Sequence, residues 1–233
     1  MNKRITIVED EEAIRQNYVD ALTKQGYDVA SYASRTEAEH SFTQPLPDLV
    51  LLDIGLDDEI EGGFDLCRLL RQQSSTLPII FLTARDSDLD IVSGLRLGAD
   101  DYLTKDISLV HLCARVAAFF RRMDALQQPS AEESELRRGE LLLDMNRYSV
   151  SWHGKPLEIS LTEFWLIHCL AKHPGHVKNR EQLMQDAHIV VDDTTITSHI
   201  KRVRKKFIAI DNGFSAIDSV YGMGYRWLET KSS

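Results

Sequence analysis

The chain has 233 residues, 43% hydrophobic and 27% charged, with a formal net charge of −9, an ordinary globular composition with room for one large domain or two small ones. No apolar run approaches the roughly 18 residues of a membrane helix, and the opening M-N-K-R-I-T-I-V-E-D does not read as a signal peptide, so a cytoplasmic protein without a membrane partner is expected. Residues 1–124 carry 13 Lys/Arg against 22 Asp/Glu, whereas residues 125–233 carry 14 of each, with Lys201, Arg202, Arg204, Lys205 and Lys206 clustered apart from any acid.

In chain order, I-T-I-V (5–8) is a short apolar run, and 12–25 has a helical rhythm ending at Gly26. Y-D-V-A-S-Y (27–32) alternates, 34–43 is helical, and D-L-V-L-L (48–52) is the uninterrupted apolar run of a strand buried on both faces. Helix 64–73, strand P-I-I-F-L (78–82), helix 88–97, strand D-Y-L (101–103) and helix 108–122 follow. Such βα units predict an α/β fold, a doubly wound five-stranded parallel sheet with helices on both faces. The polar stretch 124–136, which contains Pro129, reads as a linker. Beyond it, L-L-L-D (141–144), Y-S-V-S-W (148–152) and L-E-I (157–159) read as strands, 161–173, 180–187 and 194–207 as helices, and 217–227 as a hairpin. Ser160 followed by Glu163 predicts a capping box. The expected domains are thus 1–123 and an α+β domain at 137–233. Cys67, Cys113 and Cys169 are scattered, as in a reduced protein that uses them as small hydrophobes.

In an open parallel sheet, ligands bind beyond the carboxyl ends of the strands, where strand order reverses. The predicted strands end in Glu9-Asp10, Asp53, Thr83-Ala84 and Thr104-Lys105. Oxygen ligands without His or Cys suit a hard cation such as Mg²⁺. A carboxylate can take up a phosphoryl group as a nucleophile, and a lysine beside it offsets the charge. Together V-E-D, L-L-D, F-L-T-A-R and G-A-D-D-Y-L-T-K closely resemble the receiver domain of bacterial response regulators over residues 3–122.

That resemblance implies a flavodoxin-like strand order, with Asp53 as the phosphoacceptor served by a sensor histidine kinase. It implies Mg²⁺ held by Glu9, Asp10, Asp53 and the backbone carbonyl of Gly55. Thr83 and Lys105 would bind phosphoryl oxygens, and Thr83 with Tyr102 would form the conformational switch. It further implies a homodimer on phosphorylation, with Asp100, Asp101, Arg115 and Arg122 in ion pairs across its two-fold axis. The sequence departs from the pattern at Asp106, where the family has proline, and in L-D-D-E-I-E-G-G, a longer loop without its usual proline. Asp57, Asp58, Glu59 and Glu61 there read as a solvated loop kept extended by self-repulsion, or as a patch for kinase specificity.

In 194–207, Ile196, Ile200, Val203 and Phe207 form one apolar stripe at helical spacing. The opposite face carries Thr194, Ser198, Lys201 and Lys205 with Arg202 at its edge, a surface that can lie in a DNA major groove. L-T-E-F (161–164), H-P-G-H-V-K-N-R-E-Q-L (173–183), T-S-H-I-K-R-V-R-K-K-F and Y-G-M-G-Y-R-W resemble the winged helix-turn-helix domain of OmpR/PhoB regulators over 138–228. By that resemblance 194–207 is the recognition helix on double-stranded DNA. Lys201 and Arg202 would contact bases, Thr195, His199 and Arg204 phosphates, and Ser219 and Tyr221 would lie on the wing. RNA polymerase is a further implied partner, through a segment that is here the short H-I-V-V-D-D (188–193).

The expected function is a phosphorylation-controlled, sequence-specific transcriptional regulator rather than an enzyme. Two other readings stand against it: a constitutive DNA binder with a degraded switch, and an aspartyl-phosphate phosphatase, whose D-x-D-x-T pattern breaks at Gly55. The acidic loop and T-K-D also resemble regulators of a proteobacterial dedicated sortase system.

Overall fold

A computed structural model of the chain describes residues 2–42, 45–57, 59–85, 88–125, 134–187 and 193–229, with the main chain only at 88–92, 122 and 125. It divides into two compact units, Met1–Val116 and Ala117–Ser233.

The first unit alternates β1 (Arg4–Val8), α1 (Glu12–Lys24), β2 (Asp28–Tyr32), α2 (Arg35–Ser41), β3 (Leu49–Leu52), α3 (Gly62–Gln73), β4 (Ile79–Thr83), α4 (Asp88–Leu97) and β5 (Asp101–Thr104). The next helix, α5 (Leu109–Ala125), begins in this unit and runs past its boundary. All strand pairs are parallel, in the order β2-β1-β3-β4-β5. Order therefore reverses between β1 and β3, which opens a crevice at their carboxyl ends. The central strands β3 and β4 are buried along their whole length, as a parallel sheet covered on both faces requires, while the edge strand β2 is half exposed. Leu52, Ile54, Leu56, Phe64, Phe81 and Tyr102 belong to one core cluster, so the residues following β3 are held from beneath by apolar packing.

The second unit opens with an antiparallel sheet of β6 (Glu135–Arg138), β7 (Leu141–Asp144), β8 (Ser149–Trp152) and β9 (Lys155–Leu157). Then come α6 (Leu161–Lys172), α7 (Arg180–Asp186) and α8 (Asp193–Ile210), and a hairpin of β10 (Ile217–Val220) and β11 (Gly224–Trp227). Capping boxes start α6 (Ser160 and Glu163) and α7 (Asn179 and Gln182). Helix α6 is buried almost all round, and Trp152, Phe207, Phe214 and Trp227 close the core, with Phe207 and Phe214 stacked at 4.3 Å. Lys178 bridges Tyr225 on the hairpin through two main-chain hydrogen bonds. This is a winged helix-turn-helix arrangement.

Two sequence expectations shift. Strand β6 begins inside the stretch read as linker, and α5 ends at Ala125, so only 126–134 separates helix from strand; of these, 126–133 lie outside the described residues. The strand expected at 157–159 is instead Lys155–Leu157, and Ile159 is buried as the chain turns into α6. Cys67 and Cys169 are buried hydrophobes as expected. Among the described residues no helix is long and apolar enough to cross a membrane.

Candidate functional site

At the crevice, Asp53 follows β3 directly, and its N–H donates to the Val8 carbonyl at 2.9 Å. Its Oδ1 accepts the Ile54 N–H at 2.6 Å and its Oδ2 lies 2.6 Å from Lys105 Nζ. The same ammonium donates to Glu9 Oε1 at 2.7 Å. Lys105 arrives from the turn after β5, where its N–H is held by the Thr83 carbonyl at 2.8 Å. Asp106, in place of the family's proline, accepts a hydrogen bond from the Thr104 hydroxyl, and Lys105 still reaches the acids.

Ligand oxygens of Glu9, Asp10 and Asp53 lie within 4.8 Å of one another. Burial pushes the Glu9 carboxyl up to about 7 despite its bond to Lys105. Burial also disfavours the Lys105 ammonium, but hydrogen bonds to Asp53 and Glu9 outweigh it and raise the group. Three clustered carboxylates facing one ammonium make a site rich in hard oxygen donors that fits a divalent cation. Arg15 steadies this end of β1, donating to the carbonyls of Glu9 at 2.6 Å and Asp10 at 3.0 Å. Sequence reading passed over Arg15, whose spacing on α1 resembles that of any solvated basic residue.

Thr83, at the end of β4, is buried, and its Oγ1 accepts the Arg85 N–H at 3.3 Å. Tyr102 on β5 is also buried, and its hydroxyl donates to the Arg85 carbonyl at 2.8 Å. Gly94 of α4 leaves room for this ring; a Cβ there would approach Tyr102 Cδ2 to 3.1 Å.

The acidic loop is folded, not extended. Leu56 and Glu59 exchange both main-chain hydrogen bonds (3.1 and 2.9 Å), with Asp57 at a φ of 52°. Arg35 of α2 clasps Glu59 with two bonds, 2.5 and 3.1 Å long. The self-repulsion expected of the loop is offset by this guanidinium, which holds Glu59 below the usual carboxylate range. Asp58 lies outside the described residues, and Ile60 is exposed.

The residues expected at a dimer interface have partners within the chain. Asp100 is buried, accepting from Arg71 at 2.8 Å and from the Ile79 N–H at 3.1 Å, so it offers nothing to a second protomer. Asp101 pairs with Arg115 at 2.9 Å. The Arg122 side chain lies outside the described residues.

On α8, Thr194, Lys201 and Lys205 are exposed and Thr197, Ser198 and Arg204 half-buried along one face. Thr195 and His199 are 0% exposed, so they cannot touch phosphates as expected. They flank Ile196 and Ile200 on the side that enters the core. Arg202 also turns inward: its side chain is 9% exposed, its Nε donates to Glu163 Oε1, and it meets His199 Nδ1 at 2.9 Å. Lys206 completes the cluster, 2.6 Å from Glu163 Oε2. Burial alone would raise Glu163, but Arg202 and Lys206 outweigh it and hold the carboxyl at about 2. The sequence explained Glu163 fully as a cap, which hid this second role.

Arg204 donates to the Ile217 carbonyl (3.0 Å) and to Ser219 Oγ (2.8 Å), tying α8 to the hairpin. Arg180 of α7, missed by sequence reading, donates to Thr197 Oγ1 at 3.1 Å. At the hairpin tip Tyr221 is 102% exposed. Residues 188–192, in the short segment that lacks the tryptophan-glycine of the family's polymerase-contacting loop, lie outside the described residues.

Residues 5–117 match the family described as "Response regulator receiver domain", and residues 154–227 match "Transcriptional regulatory protein, C terminal". The transcriptional regulatory protein BaeR of Escherichia coli is 38% identical over 227 residues, covering 96% of this chain and 92% of that protein. CreB of Escherichia coli is 37% identical over 224 residues, covering 95% and 96%. The solved structure of DrrB, described as a Thermotoga maritima OmpR/PhoB homolog, is 26% identical with a TM-score of 0.52 and spans 98% of this chain and 100% of that one.

A receiver followed by a winged-helix DNA-binding domain defines a phosphorylation-dependent transcriptional regulator, not an enzyme, whose partners are a histidine kinase and DNA. This chain belongs to the OmpR/PhoB family of response regulators.

Proposed function

We propose that Asp53 is the phosphoacceptor of this regulator. The observation that carries the reading is the buried Asp53 carboxylate, 2.6 Å from Lys105 Nζ and clustered with Glu9 and Asp10 where strand order reverses. An Asp53 oxygen attacks the phosphorus of a phosphohistidine on the kinase. The P–N bond breaks, its electron pair leaves with the imidazole nitrogen, and an acyl phosphate remains on Asp53. Glu9, Asp10, Asp53 and the Gly55 carbonyl hold Mg²⁺, which when bound offsets charge on the phosphoryl oxygens. Lys105 moves its contacts from the two carboxylates to a phosphoryl oxygen, and the Thr83 hydroxyl donates to another.

Thr83 and Tyr102 then bias the receiver between two states. The phosphorylated form dimerises through α4, β5 and α5. Exchange of the Asp101–Arg115 pair between protomers trades like for like, so it sets register more than affinity. The dimer places two α8 helices on DNA half-sites one helical turn apart. Thr194, Ser198, Lys201 and Lys205 meet the major groove, with Arg204 at the backbone and Ser219 and Tyr221 on the wing. The chain works in the cytoplasm, where its kinase presents the phosphohistidine. RNA polymerase is the partner through which bound protein alters transcription.

The reach of Lys105 to Asp53 favours a working switch over a constitutive DNA binder. Selection of DNA from a random pool, with and without beryllofluoride, tests the reading. Enrichment of a tandem site that strengthens with beryllofluoride and disappears in Asp53→Asn supports it; no enrichment in either state overturns it.

A further inference from the structure

We infer that Arg35 is a positioning residue for the cation site, acting through the acidic loop on Asp10. This rests on the reading of Asp10 as a Mg²⁺ ligand. The chain of contacts is continuous. Arg35 grips Glu59 with two bonds, and Glu59 closes the turn to Leu56 through paired main-chain hydrogen bonds. Leu56 is buried in the core, so the turn is fixed at its base. The turn puts Asp57 in the left-handed region, and its N–H there donates to Asp10 Oδ2 at 3.2 Å. The other Asp10 oxygen, Oδ1, accepts the Glu11 N–H at 3.0 Å.

Both oxygens of Asp10 are thus oriented by main-chain donors, one local and one supplied by the loop. Each oxygen keeps a lone pair for a cation. Partners behind a ligand of this kind orient it and tune metal affinity. A solvated, self-repelling loop would leave the second donor unplaced, since Asp57 and its neighbours carry charge of one sign. Arg35 is the cation that counters this. It is itself braced by Glu39 at 2.8 Å one helical turn along α2. The enlarged loop therefore serves the site from behind, and its acid at 59 is a fastening point.

The test is calorimetric titration of Mg²⁺ into the full chain, comparing wild type, Arg35→Met, Glu59→Gln, the charge swap Arg35→Glu/Glu59→Arg, and Asp10→Asn. Arg35→Met and Glu59→Gln are expected to bind Mg²⁺ about ten-fold more weakly, the low end for loss of an outer partner of a metal ligand, with thermal unfolding in EDTA unchanged. The swap restores much of the affinity. Phosphorylation of Arg35→Met by a small phosphodonor is slowed at limiting Mg²⁺ and reaches the wild-type rate at saturating Mg²⁺. Unchanged Mg²⁺ affinity in both single variants, beside a wild type that binds and an Asp10→Asn that does not, overturns the positioning role alone. Wild-type binding that is absent or indifferent to Asp10→Asn overturns the cation site and the positioning role together.

Discussion

Thr83 and Tyr102 hold the two sides of one residue: Thr83 Oγ1 accepts the Arg85 N–H, and the Tyr102 hydroxyl donates to the Arg85 carbonyl. The Thr83 hydroxyl proton remains available to a phosphoryl oxygen while the lone pair is engaged. On the proposed switch, movement of Thr83 toward Asp53 would pass to the ring of Tyr102 through this single main-chain residue. Thr83→Ala should leave Asp53 phosphorylation measurable by intact mass yet abolish the gain in DNA affinity that follows. Tyr102→Phe removes one hydrogen bond, a net effect of about 1 kcal/mol, and should shrink that gain about five-fold.

Lys105 is the cation that two buried carboxylates share. Replacing it with Met leaves Glu9 and Asp53 facing each other unpaired, which for a broken buried pair costs about 3–5 kcal/mol. In EDTA at pH 8 the melting temperature of Lys105→Met should fall sharply, and Mg²⁺ should recover more of it than in wild type. An equal Mg²⁺ response in the two proteins would count against a cation site at these acids.

Glu163 is pulled below its unfolded value, from 4.5 to about 2. The sign follows from linkage: a depressed carboxyl contributes stability that is full above the unfolded pKa and is lost as pH falls through the folded one. The second unit should therefore lose stability on the order of 3 kcal/mol between about pH 5 and pH 2, followed by the fluorescence of Trp152, Trp165 and Trp227. Glu163→Gln should flatten that dependence. It should also be less stable at pH 7, because Arg202 keeps its charge under α8 with its carboxylate gone.

Lys201 and Arg202 are neighbours in sequence with opposite fates. Lys201→Ala should weaken DNA binding, and if it meets a phosphate it should lower the salt slope by about one. Arg202→Ala should reduce thermal stability while leaving that slope nearly unchanged. Equal effects of the two on the slope would contradict the inward packing of Arg202.

In the first unit β2 was legible from its alternation and the other strands from short apolar runs, and the site is made of the polar residues at the ends of β1, β3, β4 and β5. Glu9, Asp10, Asp53, Thr83 and Lys105 could be marshalled without coordinates for that reason. Strand β6 was not legible: Glu135, Arg137 and Arg138 give it no apolar period, and it is held by its ladder to β7 and by Arg138 bonding the Ala171 carbonyl at 3.0 Å. Thr195, His199 and Arg202 were misjudged for a different reason. Their DNA-contacting roles came from family resemblance, whereas the inward direction of Arg202 is decided by Glu163 on α6, 39 residues before it. Asp100 likewise finds Arg71 from 29 residues away, and no local pattern announces which chain an ion pair will close within.

Gly63 sits against the main chain at Asp53: its N–H donates to the Ile54 carbonyl at 2.8 Å, and a Cβ there would fall 1.9 Å from the Asp53 carbonyl oxygen. The span that carries Gly55, Leu56 and Asp57 is thereby closed on its far side by a main-chain contact beside Asp53. A side chain at position 63 would push the Asp53 carbonyl aside, so the placement of the carboxylate depends on a residue that carries no functional group of its own.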